Sequence, residues 1–216
     1  MSKPTSSPAQ QLAWWADQLR DISALGLRFS DNIYDREHYQ TIQDMAIEMV
    51  ALATGSAITE LEPLRKTVFA RPTPICTGDA AIINEAGELL LIQRADNQKW
   101  AMPGGAMAVG ENPVEGVIRE ALEETGVRCE PIKLIGIYDS RLCGATTVHH
   151  LYMLLFLCKP LPNDKPASPP SHAHEVLNSG WFREDGLPND IDPGHVIRIG
   201  HAFQAWQGQD LAFFDR

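Results

Sequence analysis

Four carboxylates and one guanidinium recur at fixed intervals in the middle of the chain. Glu111 comes first, Arg119 and Glu120 follow, and Glu123 and Glu124 close the group. Residues three and four positions apart share one face of a helix, so the last three acids crowd together there. Like charges at this spacing destabilise a helix by roughly 0.2–0.5 kcal/mol per pair. A divalent cation removes that repulsion, so the spacing predicts a metal site.

The same segment carries the residues that begin and end a helix. Asn112 is a preferred N-cap, Pro113 suits the first helical position, and Glu115 stands where a capping-box acid reaches back. Gly126 is the residue type that ends helices. The expected buried stripe of this helix, on a face roughly opposite the acids, consists of Val114, Val117, Ile118, Ala121 and Thr125.

The whole segment resembles a known motif. Every polar and glycine position of the Nudix box is present, and these are Gly105, Glu111, Arg119, Glu120, Glu123, Glu124 and Gly126. The chain therefore resembles the Nudix hydrolases, which cleave nucleoside diphosphates linked to another moiety. A solvated acidic helix face is the alternative, and Glu123 with Glu124 alone would favour it.

The resemblance implies a role for each residue of the box. Glu120, Glu123 and Glu124 are expected to hold Mg²⁺ or Mn²⁺, with the backbone carbonyl of Gly104 as a further ligand. Glu111 is expected to pair with Arg119, and the pair orders the loop and the helix. A diphosphate repels an attacking hydroxide, and such cations neutralise that charge.

The general base stays open between two glutamates. Nudix enzymes differ in whether the base comes from the box or from a later loop, so Glu120 and Glu175 are both candidates. Glu175 ends the sequence His172-Ala-His174-Glu175, where many relatives carry a loop carboxylate. An ordinary surface acid is the alternative for Glu175. His172 and His174 are interpreted as loop residues, because magnesium prefers oxygen ligands.

Two arginines are candidates for binding the substrate. Arg94 ends a predicted strand just before the glycine loop, and Arg141 follows another predicted strand. Guanidinium groups bind phosphate oxygens in pairs. A structural ion pair is the alternative for each arginine.

Strands and helices alternate from residue 75 onward. Segments 80–83 and 88–94 flank turn residues and predict a hairpin, and 134–138, 151–158 and 180–182 predict further strands. A closing helix is expected at 194–206, and 160–170 is a proline-rich loop. These elements predict a mixed sheet with helices on both faces, which agrees with the alpha/beta/alpha sandwich that the resemblance implies.

The first part of the chain predicts a helical hairpin with its loop at residues 30–35. Its two apolar stripes are Leu12, Trp15, Ala16, Leu19 and Ile22, and Tyr39, Ile42, Met45, Ala46, Met49 and Val50. A hairpin cannot bury both stripes by itself. Residues 56–74 are interpreted as an extended connection. We therefore expect a helical domain at 1–60 and a Nudix domain at 75–212.

This hairpin also resembles the small N-terminal domain of one Nudix branch. The matching segments are Trp14-Trp15-Ala-Asp-Gln-Leu and Tyr34-Asp-Arg-Glu-His-Tyr39. That branch includes CDP-choline and ADP-ribose pyrophosphatases, and its appended domain supports dimerisation. The uncovered stripes give an independent reason to expect a homodimer. An ordinary aromatic core is the alternative for these residues.

Composition limits the partners of the chain. Its 216 residues are 44% hydrophobic, which suits one domain with a small appendage. The net charge of −10 argues against binding to nucleic acid or to an anionic membrane. The N-terminus has no apolar signal core and no apolar run is long enough to span a bilayer, so we expect a cytoplasmic protein. Buried reduced thiols are expected for Cys76, Cys129, Cys143 and Cys158.

The predicted function is metal-dependent hydrolysis of a small nucleotide. The expected substrate is a nucleoside diphosphate joined to an alcohol or sugar, of the CDP-choline or ADP-ribose type, and the products are a nucleoside monophosphate and a phosphorylated moiety. A triphosphate hydrolase that sanitises the nucleotide pool is one alternative. A non-catalytic nucleotide sensor is another, although such relatives typically lose box glutamates. An RNA-processing role would need a basic groove that the sequence lacks.

Overall fold

The protein is described by a computed structural model that covers residues 7–70, 74–146, 151–162, 172–209 and 212–215. The chain divides into two compact units. The first comprises Met1–Thr73 with Ala108–Gly110, and the second comprises Pro74–Met107 with Glu111–Arg216. Residues 163–170 of the expected proline-rich loop lie outside the described residues. Within the described residues no helix is both long enough and apolar enough to cross a membrane.

Two long helices form the first unit. Helix α1 spans Pro8–Phe29 and α2 spans Ile33–Thr54. The loop is shorter than the predicted 30–35, because the Asn32 side chain accepts hydrogen bonds from the backbone of Tyr34 and Asp35 and so begins α2 early. Residues 56–74 are not simply extended, since they contain a short helix, α3 (Ile58–Leu61), and a π-helical turn at Arg65–Phe69.

Small residues let α1 and α2 lie close together. Ala16, Ala24 and Ala46 are buried in the hairpin, and a Cβ at Gly26 would lie 2.3 Å from the Tyr39 ring. Several of the larger residues of the predicted stripes are exposed rather than buried. The exposed members are Trp15, Ile22 and Met45, and Trp15 keeps 49% of its surface exposed. The buried stripes are therefore narrower than predicted, and large apolar side chains remain on the hairpin surface.

A mixed five-stranded sheet forms the centre of the second unit. Its strands are β1 (Ile75–Ile82), β4 (Gly104–Ala106), β5 (Cys129–Asp139), β6 (Leu151–Pro160) and β8 (Phe213–Phe214), in the order β4-β1-β6-β5-β8. Strand β1 runs parallel to β6 and antiparallel to β4, β5 is antiparallel to β6, and β8 is parallel to β5. The predicted mixed sheet is confirmed, and the expected glycine loop is partly a short strand, β4.

Three further strands form a separate antiparallel sheet. They are β2 (Leu89–Arg94), β3 (Trp100–Ala101) and β7 (Val176–Phe182), in the order β3-β2-β7. The predicted turn before β2 is present, because the Asn84 side chain accepts hydrogen bonds from the backbone of Ala86 and Glu88. The predicted hairpin is wrong beyond the turn. One isolated antiparallel bridge joins Ile83, directly after β1, to Leu89 of β2, and the two strands belong to different sheets.

Two helices complete the second unit, α4 (Pro113–Thr125) and α5 (Pro193–Trp206). Val117 and Ala121 of α4 pack in one apolar cluster with Ile82. Ile199 and Phe203 of α5 pack in a second cluster, which contains Leu91, Ile135 and Leu155. The two clusters place helices on both faces of the sheet, so the predicted alpha/beta/alpha sandwich is confirmed. All four cysteines are free, and Cys76 is exposed rather than buried as expected.

Candidate metal centre

Helix α4 positions the acidic residues, and local sequence fixes both of its ends. The Asn112 side chain accepts a hydrogen bond from the Glu115 backbone at 3.0 Å, and the Glu115 carboxylate accepts one from the Asn112 backbone at 3.0 Å. Pro113 is the first helical residue. Gly126 ends the helix in the left-handed region, with φ of 70°. The predicted capping box and glycine stop are confirmed.

The buried face of α4 differs from the predicted stripe. Val114 is 41% exposed, whereas Glu120 is only 9% exposed and lies among the buried residues Val117 and Ala121. Glu120 faces the β4 backbone, where a Cβ at Gly105 would lie 2.7 Å from the Glu120 carboxyl carbon. The acids therefore do not form a separate solvated face, because glycine on β4 makes room for Glu120 on the side that faces the sheet.

Arg119 joins the carboxylates of the box. Its guanidinium donates two hydrogen bonds to Glu111, Nε at 3.0 Å and Nη2 at 2.7 Å. Nη1 also donates to Glu120 at 2.8 Å and to Glu123 at 3.0 Å, and Nη2 donates to the backbone carbonyl of Ala106 at 3.1 Å. The bonds to Glu111, Glu120 and Glu123 raise the pKa of Arg119. The Arg119 guanidinium thus links the loop that carries Glu111, strand β4 and helix α4. The carboxylates of Glu111, Glu120 and Glu123 share its positive charge.

Glu124 lies next to the glycine segment. Its Oε2 accepts a hydrogen bond from the backbone N–H of Gly104 at 2.8 Å. Burial raises the pKa of Glu124 to about 8, and the negative charges of Glu120 and Glu175 add to this effect, whereas the Gly104 N–H and Arg94 oppose it. A buried carboxylate with a raised pKa is one whose ionised form needs additional positive charge. A bound cation would supply it.

The structure brings His172 to the acids. Its backbone N–H donates to the carbonyl of Glu123 at 3.0 Å, and its Nδ1 lies 3.6 Å from Glu123 Oε2. One ligand atom from each of Glu120, Glu123 and His172 lies within 4.8 Å of the others. The sequence interpretation of His172 as a loop residue missed this proximity, because nothing in the spacing between α4 and residue 172 indicates a contact.

The other predicted site residues are Arg94, Glu175 and Arg141, and each has a different set of contacts. Arg94 binds Asp96, with Nη2 to Oδ2 at 2.7 Å, and its charge also lowers the pKa of Glu124. Glu175 ends a single 3₁₀ turn, and its carbonyl accepts a hydrogen bond from Ala95 at 2.8 Å. Arg141 is exposed and binds Asp139 at 2.6 Å, which is the structural ion pair considered as its alternative.

A buried polar network lies behind the glycine segment. Arg198 of α5 is 2% exposed, binds Asp79 of β1, and donates through Nε to the carbonyl of Gly194 at 2.7 Å. His195 accepts a hydrogen bond at Nδ1 from the backbone of Met102 at 3.2 Å. Burial holds the pKa of His195 well below its usual value, and Arg198 adds to this. Sequence analysis missed these residues, since their positions on β1 and α5 are those of core side chains.

This network supports the backbone that the metal site needs. Asp79 stands opposite Gly104 in the register of β1 and β4, and the Ala80 N–H donates to the carbonyl of Pro103 at 2.8 Å. A Cβ at Gly104 would lie 2.3 Å from the carbonyl oxygen of Gly78, so only glycine permits this close approach. Hard carboxylate and carbonyl oxygens are the ligands that Mg²⁺ and Mn²⁺ prefer. The donors around Gly104 therefore fit the cation that the box implies.

Comparison with known domains matches both units of the chain. The NUDIX domain profile matches residues 77–198. A second profile, described as the UDP-X-like, N-terminal oligomerisation domain, matches residues 10–64. Members of the Nudix family generally use divalent metal ions, in agreement with the donors described above.

Three relatives illustrate the similarity. YjhB of Bacillus subtilis (strain 168), provisionally named an ADP-ribose pyrophosphatase, is 29% identical over 174 residues, which cover 80% of this chain and 81% of that protein. The 8-oxo-dGDP phosphatase NUDT18 of Mus musculus is 32% identical over 130 residues, 57% of this chain and 38% of that protein. A crystal structure of a UDP-X diphosphatase superimposes with a TM-score of 0.59 at 25% identity, over 96% of this chain and 99% of that one. The chain belongs to the Nudix family of hydrolases, which act on pyrophosphate bonds.

Proposed function

We propose that this protein hydrolyses nucleoside diphosphates joined to a small alcohol or sugar, of the CDP-choline or ADP-ribose type. The products are a nucleoside monophosphate and a phosphorylated moiety. The observation that carries this proposal is the position of Glu120 and Glu124 at the glycine backbone of β4, with a Glu123 oxygen within 4.8 Å of a Glu120 oxygen. The names of the relatives support a diphosphate-linked substrate, since they include an ADP-ribose pyrophosphatase and a UDP-X diphosphatase.

The residues of the centre divide the proposed work. Glu120, Glu123 and Glu124, with the carbonyl of Gly104, hold the cation. A bound Mg²⁺ or Mn²⁺ neutralises the diphosphate and lowers the pKa of water. Arg119 keeps the carboxylates in place through the bonds described above. The protein thereby sets the position of the diphosphate before any proton moves.

Proton transfer and substrate binding fall to residues at the edge of the centre. Glu120 or Glu175 accepts a proton from the attacking water. Both influence the pKa of Glu124, so both lie within electrostatic reach of it. Arg94 is proposed to bind a substrate phosphate, since its positive charge also reaches Glu124, whose pKa it lowers, and it would exchange part of its bond to Asp96. Arg141 is the weaker candidate for that role, because it is exposed and is not among the main charges that shift the pKa of Glu124.

The two units receive separate roles in this proposal. Residues 75–212 carry out the hydrolysis, and residues 1–60 join two copies as a homodimer. The match of residues 10–64 to an oligomerisation domain supports an oligomer, as do the large exposed apolar side chains of the hairpin. We place this activity in the cytoplasm and on free nucleotides. The net charge of −10 disfavours nucleic acid as a partner.

Hydrolysis of oxidised nucleotides, which sanitises the nucleotide pool, is the second candidate. It is favoured by the similarity to an 8-oxo-dGDP phosphatase, although the chain spans only 38% of that protein. The same carboxylates would serve both activities, because they bind the diphosphate rather than its substituents.

The proposed function predicts that hydrolysis depends on the metal-binding acids. Glu123→Gln and Glu124→Gln should each keep the circular dichroism spectrum and lower kcat by about 100-fold or more, since even indirect partners of metal ligands cost about 10- to 100-fold. The control is Glu130→Gln, an acid that pairs with Lys159 on the surface of β5. Phosphate-bond cleavage is followed in Mg²⁺, in Mn²⁺ and in a chelator. Near wild-type turnover of folded Glu124→Gln at saturating metal would show that the metal assignment is wrong.

A further inference from the structure

His172 presents a nitrogen donor to a site otherwise described by oxygen ligands. The bond from its backbone N–H to the Glu123 carbonyl, at 3.0 Å, ties the residue to α4 whatever its side chain does. Its imidazole is 38% exposed, and Nδ1 is the ring nitrogen that lies near Glu123 Oε2. The ring can therefore reach a bound ion without a change in the backbone.

The separation of the donors lies within the range spanned by ligands on one ion. Ligands that are about 2.1 Å from an octahedral cation lie roughly 3.0 Å apart when adjacent and roughly 4.2 Å apart when opposite. His172 Nδ1 and Glu123 Oε2 are 3.6 Å apart. That distance is too long for a hydrogen bond between them. The imidazole thus lies beside the acid at ligand spacing without being bonded to it.

His174 provides a comparison within the same turn. Its side chain is 75% exposed, and its Nε2 lies 3.5 Å from Glu175 Oε1. The group of ligand atoms within 4.8 Å contains Glu120, Glu123 and His172, and it does not include His174. The two histidines are two residues apart and differ in their relation to the acids of α4. His174 is therefore a matched control.

We propose that His172 is a ligand of the bound cation, together with Glu120 and Glu123, and that it shifts the preference of the site from Mg²⁺ towards Mn²⁺. Imidazole binds first-row transition ions well, whereas Mg²⁺ gains little from a nitrogen ligand. A site of carboxylates alone accepts both ions. The added nitrogen therefore favours Mn²⁺ selectively. This inference rests on the metal site of the proposed function.

Electron-spin-echo envelope modulation of bound Mn²⁺ tests the ligand directly, because it detects ¹⁴N coordinated to the ion. The full chain is loaded with Mn²⁺ and no nucleotide is added. We expect ¹⁴N modulation in the wild-type protein and in His174→Ala, and its loss in His172→Ala and His172→Asn. A titration should show the Kd for Mn²⁺ rising about tenfold in His172→Ala, while the Kd for Mg²⁺ changes by less than about twofold.

Several results would overturn the inference. The first is a wild-type protein that shows no ¹⁴N modulation or does not bind Mn²⁺. The second is a folded His172→Ala variant that keeps the modulation. The third is a His172→Ala variant in which the binding of Mn²⁺ and of Mg²⁺ weakens equally. The wild-type spectrum needs no variant, so a misfolded variant cannot hide a negative result. The readout is also independent of hydrolysis. A protein that binds Mn²⁺ through His172 but cleaves no nucleotide diphosphate would refute the proposed function and leave this inference standing.

Discussion

At the scale of single residues, the metal centre has more negative than positive charge. Glu111, Glu120 and Glu123 all bind the guanidinium of Arg119, and Glu124 is bound by a backbone N–H instead. Buried or half-buried carboxylates that share one cation destabilise each other. A structural helix could avoid that cost with a neutral side chain at one position. The arrangement therefore makes sense as a site that a divalent ion completes.

Gly105 tests how closely the glycine backbone must approach Glu120. The Cβ of Gly105→Ala would lie 2.7 Å from the Glu120 carboxyl carbon, and the flexible carboxylate is what must move. We expect kcat/KM to fall roughly 10- to 100-fold, because a ligand displaced by about 1 Å costs that much. The melting temperature should change little. The control is Gly186→Ala, where nothing lies within 4 Å of the added Cβ. Unchanged kcat/KM in Gly105→Ala would mean that the position of Glu120 does not matter.

At the scale of elements, helix α5 supports the backbone that precedes Gly104. His195 accepts the bond from Met102, and Arg198 binds Asp79, which faces Gly104 across β1 and β4. The support depends on a neutral imidazole, because a protonated Nδ1 cannot accept a hydrogen bond. Burial and the charge of Arg198 both keep His195 neutral. The stability of the fold should therefore depend on pH through this residue.

The sign of that dependence follows from the lowered pKa. Folded His195 binds fewer protons than the unfolded chain, whose histidine titrates near 6.5, so its contribution to stability is present above that pH and is lost as the pH falls below it. One proton corresponds to at most about 1.4 kcal/mol per pH unit. Denaturant unfolding between pH 5 and pH 7 measures the slope, because this range spans the pH at which the unfolded histidine titrates.

His195→Asn retains an acceptor and removes the titration, so the slope should decrease in this variant relative to the control His174→Asn. Other groups also contribute to the slope in this pH range, since burial lowers the pKa of His201 and raises that of Glu124, and these two contributions have opposite signs. An equal slope in wild-type protein and His195→Asn would contradict the assignment.

Local sequence determined α4, while contacts between distant segments determined the rest of the site. The ends of α4 were predictable because its caps lie within a few residues of each other. The burial of Glu120 was not, since it depends on Gly105 across the sheet. The position of His172 was also not predictable, because this residue is distant from α4 in the sequence and lies beside Glu123 only in the folded chain. The hairpin prediction for β1 and β2 failed because local turn residues do not specify which sheet a strand joins.

At the scale of the whole molecule, the hairpin leaves large apolar side chains on its surface. Trp14, Trp15 and Ile22 of α1 and Met45 of α2 are about half exposed. Two of these side chains, Trp15 and Ile22, line one surface cavity together, and exposed apolar patches often mark protein–protein contacts. Residues 10–64, which include this hairpin, match an oligomerisation domain. Both observations favour assembly through the first unit.

The expected assembly is a homodimer that Trp15 helps to hold together. Sedimentation equilibrium of the intact protein should give a dimer, and Trp15→Asp should raise the dimer Kd by about tenfold or more, since buried interface aromatics commonly contribute about 2 kcal/mol. Ile132→Asp, at an exposed position of β5, is the control. Deletion of residues 1–60 should also remove the dimer. A concentration-independent monomer of the intact chain would exclude this assembly.

The measurement that tests the central claim most directly is a substrate panel assayed as kcat/KM in Mg²⁺ and in Mn²⁺. The panel contains CDP-choline, ADP-ribose, NADH, a diadenosine polyphosphate and oxidised dGTP, with Glu124→Gln as the inactive control. We predict the highest kcat/KM for a nucleoside diphosphate joined to a small alcohol or sugar, with a nucleoside monophosphate as product. A preference for the nucleoside triphosphate by more than about tenfold, or 1.4 kcal/mol in transition-state binding, would contradict the account and favour a sanitising hydrolase.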